Sequence, residues 1–444
     1  MRVLPLSRFL ASQTLPIWLL QATSMSRGLY TLLVFLLLPF AWLRLRWRGR
    51  KEAGYGQFIA ERFGRYATRP TRPVIWLHAV SVGETRAAAP LVSALRTRFP
   101  EHQILLTHMT PTGRATGESL FGDKVLCCYL PYDAPFAVAR FLDHFRPAQG
   151  LIMETEIWPN LIAACHRRRL PLWLVNARLS PKSAGRYEKF LHLTSQSLAQ
   201  LAGICAQTAS DAERLRALGA RNIVICGNVK FDVAPPADML ELGASLRHRF
   251  GDGRAVFLAA STREGEEELL LDAVSKMNVP GLLTVIVPRH PQRFDTVAAL
   301  IEKRGLKFVR RSSNEDVDGA TQFVLGDSMG EMFAYYAACD VAFIGGSLKP
   351  LGGQNLIEAC AVGTPVFIGP HTFNFADASD EAIACGAARR VESPAELAQE
   401  AARLLTDEAA RRAMGAAGLK FAQEHRGAVD RIIAIVTSRG PRDP

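Results

Sequence analysis

The sequence predicts an α/β protein made of two doubly wound, Rossmann-like parallel-sheet domains, with an apolar helix ahead of them. Three observations carry this. Short β-branched-rich runs alternate with helical stretches from Val74 onward, Pro235-Pro236 interrupts the alternation before it restarts at Ala255, and one uncharged apolar run precedes both halves. Strands separated by helices favour a parallel sheet covered on both faces. A chain of 444 residues is too long for one small core, so two domains of about 190 residues and an appendage are expected. With 48% hydrophobic and 21% charged residues, the composition argues against disorder.

The apolar run extends from Gly28 to Leu43 and ends at Arg44, Arg46, Arg48, Arg50 and Lys51. A bilayer core needs about 20 helical residues, so the run is marginal as a full span and suited to an oblique or monotopic anchor. A cleaved signal peptide fits less well, because the basic residues follow the apolar stretch and no small-x-small site lies between them. The basic collar predicts that the following domain stays on the cytoplasmic side. Residues 1–24 fit no element, and Met25-Ser26-Arg27 reads as a natural translation start. The expected organisation is therefore an extension over 1–27, an anchor and collar over 28–51, and domains over 52–235 and 236–444.

The net charge of +11 comes partly from the collar, with further basic patches at Arg167-Arg168-Arg169 and Arg310-Arg311. No nucleic-acid motif or aromatic-basic interleaving accompanies it, so nucleic acid is not the expected partner. Anionic lipid headgroups and phosphorylated substrates are. The eight cysteines form no CxxC pair and have no metal-ligand spacing, so they read as small core residues in a reducing compartment, with no metal site.

In the first half, strands are expected at Val74–Val80, Gln103–His108, Val125–Leu130, Gly150–Met153, Leu172–Asn176, Gly203–Gln207 and Ile223–Gly227. Ser81-Val82-Gly83-Glu84 places a carboxylate where the first strand turns into a helix over 85–98, the end of a sheet where α/β proteins do their chemistry. Ser81-x-x-Glu84 is also a capping box, so Glu84 is open to two readings: helix cap or general base. Met153-Glu154-Thr155-Glu156 puts a second acidic pair at a strand end, before a helix that Pro159 can open. Strand alternation would set Glu154 and Glu156 on one side, where they repel unless solvated or met by cations; the helix dipole alone also favours acids there. Lys230, in Gly227-Asn228-Val229-Lys230-Phe231-Asp232, precedes the linker and can either neutralise an anion in the cleft expected between the domains or pair with Asp232.

In the second half, strands are expected at Ala255–Ala260, Leu283–Val287, Gln322–Leu325, Asp340–Gly345 and Thr364–Ile368. Its first strand-to-helix turn, Ser261-Thr262-Arg263-Glu264, weakly echoes the one at Ser81. Pro288-Arg289-His290-Pro291 follows a strand with an arginine suited to phosphate or carboxylate. Gly326-Asp327-Ser328-Met329-Gly330-Glu331 is a small-residue turn opening a helix through Tyr335-Tyr336. Gly345-Gly346 and Gly352-Gly353 let backbone approach a ligand, and a helix beginning near Asn355 would aim its amides at a phosphate, with Glu358 in its first turn as a cap or a ribose ligand. The spacing is neither a nicotinamide fingerprint nor a P-loop. Asp316-Val317-Asp318 lies away from any strand end and reads as a solvated loop rather than a metal-nucleotide site.

Taken in order, SVGE, TPTGR (Thr110 to Arg114), METEIWPN, NARLS (Asn176 to Ser180), GNVKFD, VPRHPQRF, GDSMGEM and GGQNLIEA closely resemble the lipid A Kdo transferases of Gram-negative bacteria, glycosyltransferase family 30. The resemblance covers roughly Gly28 to Arg431. It implies the GT-B glycosyltransferase fold, CMP-Kdo as donor, the lipid A precursor (lipid IVA) as acceptor, no cofactor, and an enzyme held at the cytoplasmic face of the inner membrane. It implies that Glu84 is the base and that Glu154 and Lys230 stabilise the transition state. CMP binding would fall to Pro288, Arg289, Met329, Gly330, Glu331, Asn355, Leu356, Ile357 and Glu358. The competing readings are a UDP-sugar transferase or sugar-nucleotide epimerase on the same fold, and a non-catalytic lipid- or nucleotide-binding scaffold.

Overall fold

The computed structural model of the chain describes residues 25–232 and 234–438; the expectations made for residues 1–24 lie outside that range. The described chain forms two compact units, one running to Val229 and taking in the chain from Gly427, the other Lys230–Arg426.

The first unit holds strands β1 (Val74–His78), β2 (Gln103–His108), β3 (Val125–Tyr129), β4 (Pro147–Met153), β5 (Leu172–Ala177), β6 (Gly203–Ala206) and β7 (Ile223–Ile225). They pair in parallel in the order β3-β2-β1-β4-β5-β6-β7. The strands read as unbroken apolar runs because both faces are covered: Ile75 and Leu77 enter one core layer, Trp76 the other. The chain winds outward from β1 to β3, then returns to lay β4 against the other side of β1. The ends of β1 and β4 thus flank the topological switch point, where doubly wound sheets bind their ligands.

Two helices of this unit differ from the simplest reading of the sequence. The helix after β1 starts at Val82 and breaks at Ala88 into Val82–Ala87 and Ala89–Arg98, because Pro90 supplies no amide and seats at the start of the second piece. The last helix, Ala428–Ser438, buries Val429, Ile432 and Val436 against Leu91 and Leu95 of the first unit, although it follows the second unit in the chain.

The second unit holds β8 (Val256–Thr262), β9 (Leu283–Pro288), β10 (Phe308–Arg310), β11 (Phe323–Leu325), β12 (Val341–Ile344), β13 (Val366–Ile368) and β14 (Ala388–Arg390), parallel in the order β10-β11-β9-β8-β12-β13-β14. Its switch point lies between β8 and β12, with Ala260 registered opposite Ile344. The sequence reading lacked β10 and β14. Both are three-residue edge strands carrying arginine, with too little apolar sequence to show a period.

The helix Arg27–Lys51 spans the whole apolar run and its collar, capped by the Ser26 hydroxyl, which accepts from the Leu29 amide at 3.2 Å. It is long and apolar enough to cross a membrane.

Candidate active site

In the first unit the switch point is acidic. Ser81 caps the helix after β1, its hydroxyl accepting from the Glu84 amide at 3.4 Å. The Glu84 carboxylate reaches back to the Val80 amide at 2.5 Å, one residue beyond the partner of an ordinary capping box. Capping therefore fixes the carboxylate at the strand end through Oε2, while Oε1 has, among the described residues, a long contact from the Ser81 hydroxyl at 3.4 Å. Burial, then the charge of Glu154, then that of Glu156 raise the Glu84 pKa to about 7, against the lowering effect of the Val80 amide.

Glu154 follows the last residue of β4, so the switch-point topology brings it toward Glu84 from the neighbouring strand. Glu154 and Glu156 do come together and repel as expected, burial first and then Glu154 raising the Glu156 pKa, but strand alternation is not what brings them there. Glu154 has φ +58°, in the left-handed region, and the strand has ended. Such a conformation costs a non-glycine residue about 1–3 kcal/mol and persists where surroundings impose it. Here the Glu154 amide donates to Val175 O at 3.1 Å, the Thr155 hydroxyl to Arg178 O, and the Tyr187 hydroxyl to Thr155 O at 2.9 Å. Glu156 is also pushed up by burial. Pro159 opens the helix Pro159–Arg167, as its position before Asn160 suggests.

Beneath these acids two imidazoles are locked. His78 accepts from the Thr107 hydroxyl or donates to it at 2.8 Å, and His108 Nδ1 lies 3.0 Å from Ala79 O. Burial lowers their pKa values to about 3 and about 4, so both are neutral and neither supplies a cation to the carboxylates.

In the second unit the corresponding position is basic and glycine-rich. Pro288 ends β9, and the Arg289 amide donates to Thr262 O at 2.9 Å. Arg289 Nε donates to Gln354 Oε1 at 3.1 Å, which aims the rest of the guanidinium. Arg263, Arg289 and Arg293 all act on His290, lowering its pKa after the larger effect of burial, so three guanidinium groups converge at these strand ends. Arg293 is held in a fork by Glu267, with both contacts at 3.1 Å.

The glycine loop after β12 is anchored by a residue the sequence reading did not single out. The Glu266 carboxylate, fully buried, accepts from the Gly346 amide at 2.5 Å, the Leu348 amide at 3.0 Å and the Arg263 amide at 3.1 Å. A side chain at Gly345 would meet Ser261 O at 2.5 Å, so this approach admits glycine alone. Glu266 lies in the run Glu264 to Glu268, which reads as an acidic first turn and offers no local signal that sets it apart.

The helix expected near Asn355 is Ile357–Ala361, only five residues long. Asn355 forms a turn in front of it, Oδ1 accepting from the Ile357 amide at 3.0 Å and Nδ2 donating to Glu358 at 3.0 Å. The first amide is thus already bonded, and Glu358 is oriented by Asn355 rather than by the helix. Leu356 and Ile357 are buried supports. Burial first, and then Glu358, raise the pKa of the Tyr336 hydroxyl, which Arg289 lowers; both charged groups are felt at this one buried atom. Met329 is exposed, and Gly330 has φ +86°. Glu331 takes the Ser328 hydroxyl at 2.7 Å and lies 3.3 Å from Arg311. Lys230 occupies the single turn Val229–Phe231, its Nζ 5.3 Å from the Phe375 ring centroid. Asp318 belongs to an exposed loop and pairs with Lys307 at 2.6 Å, in keeping with a solvated role.

Two family models divide the chain much as the two sheets do. One, described as 3-Deoxy-D-manno-octulosonic-acid transferase (kdotransferase), matches residues 57–233; the other, Glycosyl transferases group 1, matches residues 251–421. The chain is 44% identical over 425 residues to a 3-deoxy-D-manno-octulosonic acid transferase of Bordetella pertussis, covering 92% of this chain and 98% of that protein. It belongs to the 3-deoxy-D-manno-octulosonic acid (Kdo) transferase family. A second Kdo transferase, from Haemophilus influenzae, is 38% identical over 419 residues, 93% of this chain and 98% of the relative. A glycosyltransferase of Rickettsia africae, 14% identical with TM-score 0.55 over 83% of this chain and 98% of its own, shares the fold. This Kdo transferase family member is therefore an enzyme, a glycosyltransferase with the expected GT-B architecture.

Proposed function

We propose that the protein transfers Kdo from CMP-Kdo to the lipid A precursor, lipid IVA, in lipopolysaccharide core synthesis, by an inverting, metal-independent displacement. The observation that carries the reading is the pairing of a pKa near 7 with a fixed position at Glu84, together with an arginine cluster on the other sheet. A general base works best with a pKa near the working pH. In this reading a hydroxyl of the acceptor sugar attacks the anomeric carbon of Kdo from the face opposite the phosphate. Its proton passes to the Glu84 carboxylate, the bond from anomeric carbon to phosphate oxygen breaks, and CMP leaves with that electron pair. Arg289 and its neighbours take up the charge of the departing phosphate, since preset donors stabilise charge where it develops. Glu154 keeps Glu84 basic and, with Lys230, stabilises the transition state; Lys230 also suits the carboxylate that Kdo carries. CMP would be held by Pro288, Arg289, Met329, Gly330, Glu331 and Asn355 to Glu358, with Gln354 and Glu266 fixing the arginine and the glycine loop.

The apolar helix and its collar support attachment to anionic lipids of the inner membrane on the cytoplasmic side, where such an acceptor resides. The test is mass spectrometry of lipid IVA incubated with CMP-Kdo and the protein, wild type beside Glu84→Gln. Addition of Kdo by the wild type and its loss in the folded variant support the reading. No addition by folded wild type refutes it. Stronger protection of the protein by UDP than by CMP would overturn the donor.

A further inference from the structure

The helix Arg27–Lys51 is tied to the first unit along its length. Near its start, the Tyr30 hydroxyl donates to Asp133 Oδ2 at 2.9 Å and the Thr31 hydroxyl to Asn160 Oδ1 at 2.9 Å. Asp133 is built into the fold, only 4% exposed, and accepts from the amides of Asn160 and Leu161 at 2.9 and 2.7 Å. One turn on, the Phe35 ring stacks on Phe136 with centroids 5.9 Å apart. Near its end Leu45 is buried, and the Arg48 guanidinium lies 4.0 Å over the Tyr55 ring. Tyr30, Leu45 and Arg48 are separated by helical spacings, so one stripe of the helix faces the protein.

The opposite stripe faces outward and is apolar. Leu32, Leu36, Phe40 and Leu43 are all more than half exposed, Phe40 the most at 67%. Around this stripe the cations stack on interfacial aromatics, Arg46 at 4.9 Å over Trp42 and Lys51 at 4.6 Å over Trp47. Tryptophan at the level of the headgroups and cations beside it match an anionic phospholipid surface. The apolar surface continues from Phe35, Leu38 and Trp42 onto Phe63 across a shared open groove of about 530 Å³, so the stripe and the domain edge form one lipid-facing surface.

We propose that this helix lies in the plane of an anionic phospholipid interface, both ends on the same side as the first unit, and does not cross the bilayer. From Tyr30 to Arg48 the helix rises about 27 Å, nearly the thickness of a hydrocarbon core. A crossing helix would carry Tyr30 to the far side from Arg48, yet the Tyr30 hydroxyl is bonded to Asp133 of the folded unit into which the chain runs directly after Arg48. The uncharged run, about 16 residues, rises only about 24 Å, short of the roughly 30 Å core. Lying flat, its leucine stripe sinks about 5–10 Å into the interface while the collar remains among headgroups.

The inference rests on the membrane attachment of the proposed function, and its test reads topology, not transfer. Gly28→Cys and Arg50→Cys are made separately in the full chain, both positions being at the ends of the helix and Arg50 exposed. Native Cys385, exposed in the second unit, reports the side of the enzyme body. Intact spheroplasts and permeabilised ones are treated with a membrane-impermeant maleimide, and labelled peptides are resolved by mass spectrometry. The expected result is that the thiols at 28, 50 and 385 label together, in the same preparation. Labelling of positions 28 and 50 from opposite sides overturns the proposal. Recovery of the protein in the soluble fraction overturns it as well; Kdo transfer by that soluble protein would leave the enzymatic reading standing.

Discussion

Glu84 and Glu154 stand at the ends of the adjacent strands β1 and β4, and the charge of Glu154 adds to burial in raising the Glu84 pKa to about 7. One strand end thereby sets the basicity of the other. In the first sheet only β1 and β4 are neighbours without being consecutive, and both acids stand beyond that pair.

If Glu84 is the base, the transfer rate falls on the acid side with an apparent pKa near 7, because the carboxyl must be ionised to accept a proton. Glu154→Gln removes the repulsion and should move that limb to lower pH, while burial keeps it above the ordinary carboxylate range. A pH profile of kcat/KM for both proteins checks this; an unmoved limb disconnects Glu154 from the base.

Glu84→Gln should lower kcat by about 10²–10⁴ with the fold retained. It should also flatten the dependence of stability on pH. A carboxyl whose folded pKa is raised contributes stability that is fully present below about 4.5 and lost as pH rises through about 7. Thermal melts of wild type and variant from pH 5 to 8 compare the slopes, and the wild type should lose more Tm over that range.

Glu266→Ala should cost both stability and donor affinity. It orphans three buried or half-buried amides, each worth about 1–3 kcal/mol when unsatisfied, and frees the loop at Gly346. A lower Tm with a higher KM for CMP-Kdo is expected, and Glu266→Gln should fall between the two. Calorimetry beside initial-rate kinetics separates these effects; unchanged KM in a destabilised variant would make Glu266 purely structural.

Arg289→Lys should raise the donor KM about 10–100-fold, because lysine cannot present a planar fork to a phosphate. Gln354→Ala should act in the same direction and more weakly, since it removes only the group that aims Arg289. CMP titrations should reproduce that order.

Much of this was legible in the sequence, and the exceptions have physical causes. The central strands are apolar on both faces and stood out as runs, whereas β10 and β14 carry arginines over three residues and show no pattern. Ser81 announces the helix start after β1, but the reach of Glu84 to Val80 depends on backbone geometry that the motif does not encode. Glu154 and Glu156 come together as expected, but through a left-handed turn one residue past the end of the strand and not through alternation. Asn355 reads as a cap and does bond forward to the Ile357 amide and to Glu358, but the helix behind it is only five residues long, which the sequence does not show. Nothing local distinguishes buried Glu266 from exposed Glu264 and Glu268; only the glycine loop arriving from 80 residues away does so.

The helix Ala428–Ser438, which closes over Leu91 and Leu95, is the last described segment to leave the ribosome. The first unit's sheet can therefore be complete in sequence while one of its apolar faces still waits, through synthesis of the entire second unit, for its cover. During that interval the nascent chain exposes leucines that a chaperone can hold, and a ribosome stalled at any point in the second unit yields a protein unfinished at its beginning.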